Sequence, residues 1–105
     1  MKIETKQQNE ELIASLYGEL NEEAAPEAKR TFDILCDDKN VRILILDFAN
    51  VSFMNSTGIG VILRLYRELN RRGKKLFIAN PNRQIDKVIS LSGLYSVIER
   101  ISMEV

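Results

Sequence analysis

The sequence predicts an α/β fold: a single mixed β-sheet flanked by helices, with elements in the order β-β-α-β-α-β-α-β. Three observations carry this. Residues 41–48 read VRILILDF, apolar almost without a break and rich in β-branched side chains. That is the pattern of a central strand buried on both faces with parallel neighbours. Three stretches with helical spacing alternate with short apolar runs around it, so the crossovers are helical and right-handed where strands run parallel. The chain has 105 residues and a mass of 12.0 kDa, room for one core, and we read residues 1–105 as one domain.

The elements follow in order. Ile3 and Thr5 alternate with polar residues, Asn9-Glu10 offers a turn, and Leu12, Ala14 and Leu16 share one face of a second alternating run. This pattern is a β-hairpin near a sheet edge, ended by Gly18. Pro26 suits the first turn of a helix, where its missing N–H costs nothing. Ala25, Ala28, Phe32 and Leu35 then carry that helix to about Asp37. After the central strand, residues 49–55 read as a loop. A second helix starts near Ser56, with Ile59, Ile62, Leu63, Tyr66 and Leu69 as its buried stripe and Gly73 as its C-terminal cap. Residues 75–79 form a short strand stopped by Asn80-Pro81. A third helix from about Asn82 turns Ile85, Val88 and Ile89 inward and ends at Gly93. Val97, Ile98 and Ile101 suggest the last strand.

Composition excludes several kinds of chemistry. Lys+Arg and Asp+Glu are both 15 and histidine is absent. Zero net charge gives no reason to expect direct nucleic-acid binding or an anionic membrane. Without histidine there is no Ser-His or Cys-His nucleophile pair and no histidine metal ligand or base. The single cysteine, Cys36, makes neither an internal disulfide nor a cysteine zinc site, which fits a reducing cytoplasm. The start MKIETKQQNEEL has no apolar signal core, and no window approaches membrane-spanning length, so no membrane insertion is expected. We read the chain as a cytoplasmic protein that is not an enzyme and takes no metal or cofactor.

The stretch 51–68, VSFMNSTGIGVILRLYRE, holds the candidate site. Ser56 follows a strand and loop and opens a helix with two early glycines. Its simplest role, or that of Thr57, is to cap the helix by bonding a free first-turn N–H. The same helix end, with its unpaired N–H groups and positive dipole, also tolerates a phosphate. Gly58 and Gly60 keep side chains away and let another protein's backbone approach. Phe53 and Met54 are core residues or, at the strand's C-terminal mouth, part of an apolar docking surface. Three alternatives fail. The Ser56 loop lacks the Lys of a P-loop and the glycine spacing of a dinucleotide fold. Asp47 lacks the accompanying carboxylates of a phosphoaspartate site. A serine hydrolase lacks its base. Arg64, Arg67, Arg71, Arg72, Lys74 and Lys75 read as a solvated basic face with an Arg64–Glu68 pair. Cys36 reads as a buried small hydrophobe.

At these residues the chain resembles a known family. The run LDFANVSFMNSTGIGVIL, residues 46–63, resembles the signature of STAS domains, specifically bacterial anti-sigma factor antagonists. YGELN at residues 17–21 and SGLYSVI at residues 92–98 resemble that family's motifs before its first helix and its final strand. The resemblance implies the STAS fold and a role in transcription regulation as a protein-binding switch. Ser56 would be the phosphoacceptor of an anti-sigma factor that is itself a serine kinase. The unphosphorylated domain would bind that kinase and free its sigma factor, and a PPM-type phosphatase would reset it. Asn21, Phe53, Met54, Asn55, Thr57 and Gly58 would lie in or near the docking surface. Asn21 and Asn55 stand where the family usually has aspartates, which removes two carboxylates beside the acceptor. A second implied role is a STAS adaptor within a stress-sensing or transport complex, without a phosphate cycle.

Overall fold

Lys2–Gln8 (β1) and Glu11–Leu20 (β2) form an antiparallel hairpin in the computed structural model, which describes residues 1–103. The turn is Asn9-Glu10 as expected, with Asn9 at φ 57°, a conformation asparagine tolerates better than most side chains. Ala25–Asp37 (α1), Ile43–Met54 (β3), Ser56–Arg71 (α2), Lys75–Ala79 (β4), Arg83–Ser92 (α3) and Glu99–Ile101 (β5) follow, with a 3-10 turn at Leu94–Ser96 before β5. The sheet order is β1-β2-β3-β4-β5, antiparallel only at the first pair. The predicted element order and the central position of β3 are both seen.

Each of the three crossovers steps one strand in the same direction, so right-handed connections put all three helices on one side of the sheet. The core lies there: Leu16, Leu44, Leu46 and Ile78 meet Phe32 of α1, Ile62 and Leu69 of α2, and Ile89 of α3. The reading of β3 as buried on both faces needs correction. On the side away from the helices, Ile43 and Asp47 are only half-buried. Ile45 is covered there because it lies between Ile13 and Phe77 in the neighbouring strands.

Several strand ends also differ from expectation: β3 starts at Ile43 and not Val41, and β5 starts at Glu99, leaving Val97 and Ile98 in the turn before it. β2 runs through Gly18 to Leu20, and residues 49–54 continue β3 instead of forming a loop. The reason is a pair of register shifts in β3. Between Ser15↔Asp47 and Tyr17↔Asn50 it carries one extra residue, and between Gly18↔Val51 and Glu19↔Phe53 another. Such bulges break the two-residue alternation by which a strand is recognised. Phe48, Val51 and Met54 are therefore buried at intervals of three. Gly18, at φ 104°, supplies the left-handed backbone that lets β2 stay paired beside them.

The buried stripe of α2 is Gly58, Val61, Ile62, Leu65 and Leu69; Ile59, Leu63 and Tyr66 lie half-buried at its margin. Gly58 sets that phase because the helix starts flush against β2. The basic cluster is also not a uniformly solvated face, and the predicted Arg64–Glu68 pair is replaced. Arg64 makes a two-pronged pair with Asp33 of α1 at 3.1 and 3.2 Å, while Glu68 faces Arg71 and Arg72. Arg72 and Lys74 reach the end of α1 and donate to the Cys36 carbonyl at 2.9 and 2.8 Å. Lys74 also donates to the Asp38 carbonyl at 2.8 Å. The Cys36 carbonyl, left open at the helix end, thus gains two cationic donors. Cys36 is buried, and burial pushes its thiol pKa up, consistent with an unreactive core side chain.

Candidate functional site

Leu20 ends β2 and Met54 ends β3, and the two are paired across the sheet. The segments that follow them, residues 21–24 and 55–58, therefore leave the same edge of the molecule side by side. This is the carboxyl end of the parallel strands, where open α/β sheets place their binding sites.

Asn55 is the N-cap of α2. Its backbone is extended (φ −115°, ψ −170°), and its Oδ1 accepts from the Thr57 and Gly58 amides at 3.1 and 3.2 Å. The expectation that Ser56 or Thr57 caps the helix is thereby corrected. Ser56 is the first helical residue, is exposed, and its hydroxyl takes no part in the cap. The first turn of α2 carries no acidic residue, so the positive end of the helix dipole at Ser56 is not neutralised from within the helix.

The other side of the site is the β2–α1 loop. Asn21 Oδ1 accepts from the Glu23 and Ala24 amides, both at 3.1 Å, and the Asn21 carbonyl accepts from Ala25 at 2.9 Å. Asn21 thus shapes its own turn into α1. Glu22, a residue that local patterns give no reason to single out, accepts a hydrogen bond from Asn55 Nδ2 across a separation of 33 residues. Glu19, Glu23 and Glu27 line a shallow groove beside Asn21, so the loop side of the site is negative.

The remaining candidates divide by exposure. Phe53 is 40% exposed and stands next to the site opposite Glu19. Thr57 is half-buried. Met54 and Gly58 are buried and shape the site from beneath, offering no side chain to its surface. Gly60 is one helical turn beyond Ser56 on the same face, and a Cβ there would meet nothing within 4 Å. Ile59 and Leu63 are partly exposed beside it. Spacing from Ser56 by three, four and seven residues is enough to place these three at the site. The ensemble is a free hydroxyl on a helix N-terminus, with partly exposed apolar residues (Phe53, Ile59, Leu63) and carboxylates around it. It is a surface suited to contact with another protein.

Comparison with known proteins gives the family. The STAS domain family model matches residues 2–105. An "Anti-sigma F factor antagonist" of Paenibacillus polymyxa is 27% identical over 105 residues, covering 100% of this chain and 90% of that one. Two solved structures share the fold. The anti-sigma factor antagonist SpoIIAA in its unphosphorylated form has a TM-score of 0.82 at 25% identity, covering 98% of this chain and 89% of that one. The Bacillus cell fate determinant SpoIIAA in the phosphorylated form has a TM-score of 0.76 at 25% identity, covering 98% and 92%. The chain belongs to the STAS domain family.

Proposed function

We propose that this protein is a cytoplasmic anti-sigma factor antagonist, a binding protein and not an enzyme, switched by phosphorylation of Ser56. Unphosphorylated, it binds an anti-sigma factor serine kinase and so releases the sigma factor. In the reverse direction the kinase moves the γ-phosphoryl group of ATP onto Ser56 Oγ. The new O–P bond replaces the bond to ADP, and the hydroxyl proton leaves to the kinase or solvent. A PPM-type phosphatase hydrolyses the ester and resets the switch. The observation that carries this reading is the division of labour at α2: Asn55 caps the helix, which leaves the Ser56 hydroxyl exposed and unused. The names of the relatives, antagonists of anti-sigma factors, support the partner class, and a relative solved in phosphorylated form supports the modification.

Phosphate adds about −1.5 to −2 charges, which the helix N-terminus accommodates. Pressed against a partner, that dianion carries a large desolvation cost, so the complex is lost while the fold is kept. The test is intact mass and phosphosite mapping of the protein isolated from its own host, beside a Ser56→Ala version. Phosphate on Ser56 that is absent from the alanine form supports the switch. A Ser56 that stays unmodified under every growth and stress condition overturns it and favours the adaptor role.

A further inference from the structure

Asn55 uses both ends of its amide. Oδ1 holds the Thr57 and Gly58 N–H groups, and Nδ2 donates to the Glu22 carboxylate. Only the first of these tasks is ordinary capping. An aspartate caps a helix as well as an asparagine and adds favourable charge at the dipole's positive end. At position 55 of this chain, however, an aspartate would set one carboxylate against another. Glu22 therefore accounts for the amide where capping does not. The bond also joins the two segments that build the site, since Glu22 belongs to the turn organised by Asn21. Asn21 and Asn55 are neutral, so Glu22 is the carboxylate bonded directly to the neighbour of Ser56.

We propose that Glu22 is a positioning residue of the Ser56 docking surface: acting through the Asn55 amide, it holds the β2–α1 loop against the start of α2 and presents both to the kinase as one surface. The proposal rests on Ser56 being the phosphoacceptor, and its test separates the two claims.

Four full-length proteins are compared: wild type, Asn55→Asp, Glu22→Gln and the double variant. The double variant restores a hydrogen bond of reversed polarity, with the amide introduced at position 22 donating to the carboxylate introduced at position 55. The first readout is amide hydrogen exchange at Glu23, Ala24, Thr57 and Gly58. Asn55→Asp should leave Thr57 and Gly58 protected, because the cap survives. It should speed exchange at Glu23 and Ala24 about tenfold, the scale set by losing a hydrogen bond to a charged group at an exposed site. The second readout is phosphorylation of Ser56 by the purified serine kinase of the same host at saturating ATP. Asn55→Asp should raise KM for the protein substrate about tenfold with kcat within about twofold, the mark of lost docking and not of lost chemistry. The double variant should return both readouts to within about threefold of wild type. The proposal is overturned if Asn55→Asp matches wild type in both readouts, or if the double variant is no better than Asn55→Asp. A wild type that is never phosphorylated at Ser56 sinks the proposed function instead, and the exchange data then decide the Glu22–Asn55 link alone.

Discussion

Gly58 of α2 lies so close to Leu20 at the end of β2 that a Cβ on it would come within 2.5 Å of the Leu20 carbonyl oxygen and 2.7 Å of Met54 Cγ. The contact seats the helix on the sheet and fixes where Ser56 emerges. Gly60, two residues on, has open space around it. The two glycines should therefore respond with opposite sign to the same substitution. Gly58→Ala gains helix propensity worth up to about 1 kcal/mol, but overpacking against backbone costs about 1–3 kcal/mol and wins. Gly60→Ala meets no obstacle and should stabilise by about 0.5–1 kcal/mol. Urea unfolding of both variants checks the signs, and a stabilised Gly58→Ala would contradict the packing.

Asn55 and Ser56 make a similar contrast, this time between the cap and the proposed phosphoacceptor. Asn55→Ala removes the acceptor for two amides together with the link to Glu22 and should cost about 1–2 kcal/mol. Ser56→Ala should stay within about 0.5 kcal/mol of wild type, as for most exposed positions without a structural role. Chemical denaturation measures both, and the reverse order would return the cap to Ser56.

How much of this was legible in the sequence depended on whether a feature was local. The hairpin, Pro26 in the first turn of α1, the Gly93 terminus and the Ser56 signature all sit within a few residues of their cause. The extension of β3 was not legible, because two bulges turn a two-residue alternation into burial at Phe48, Val51 and Met54. Spacing alone centres the stripe of α2 on Ile59 and Tyr66, whereas its phase is set by Gly58 touching Leu20, a contact between distant segments. Glu22 shows the same limit at the site. Nothing in Asn21-Glu22-Glu23 distinguishes the glutamate that bonds Asn55 from the one that does not.

Arg72 and Lys74 share one acceptor, the Cys36 carbonyl at the end of α1, so their substitutions should not add. Removing either donor leaves the other in place, and Arg72→Met or Lys74→Met alone should cost about 0.5–1.5 kcal/mol. With both gone, the part-buried carbonyl loses its donors, and the double variant should cost more than the sum of the two. A double-mutant cycle by urea unfolding measures the excess; simple additivity would mean the two bonds are independent.

Tyr95 gives the fold a signature in alkaline solution. Burial first, then its 2.6 Å hydrogen bond to Asp86 and that carboxylate's charge, raise its pKa above the ordinary 10.0. The folded state therefore favours the neutral phenol. Its contribution is complete below the unfolded value near 10 and is lost as pH rises from there toward the folded pKa, because the unfolded chain ionises first. Urea midpoints measured from pH 8 to 11 should fall more steeply for wild type than for Tyr95→Phe, which has no phenol to ionise. Parallel curves would show that Tyr95 is not held neutral.

Phosphorylation itself should leave the fold in place. A phosphoserine installed at position 56 during translation sits on the first residue of α2, where the helix dipole favours an anion although Asn55 already holds the Thr57 and Gly58 amides. The nearby Glu22 opposes it, but an exposed pair of like charges is worth only a few tenths of a kcal/mol to about 1 kcal/mol. The two effects are of similar size and opposite sign. The melting temperature should therefore stay within about 4 °C of the unmodified protein, the shift that about 1 kcal/mol produces in a domain of this size. Binding to the proposed kinase partner should fall far more, because the complex must strip water from a dianion that the free protein leaves solvated. Calorimetric melting and titration on the same two samples separate these outcomes. A fall in melting temperature beyond about 8 °C would place the switch in the fold, whereas lost affinity at constant stability places it at the surface built by Ser56, Asn55 and Glu22.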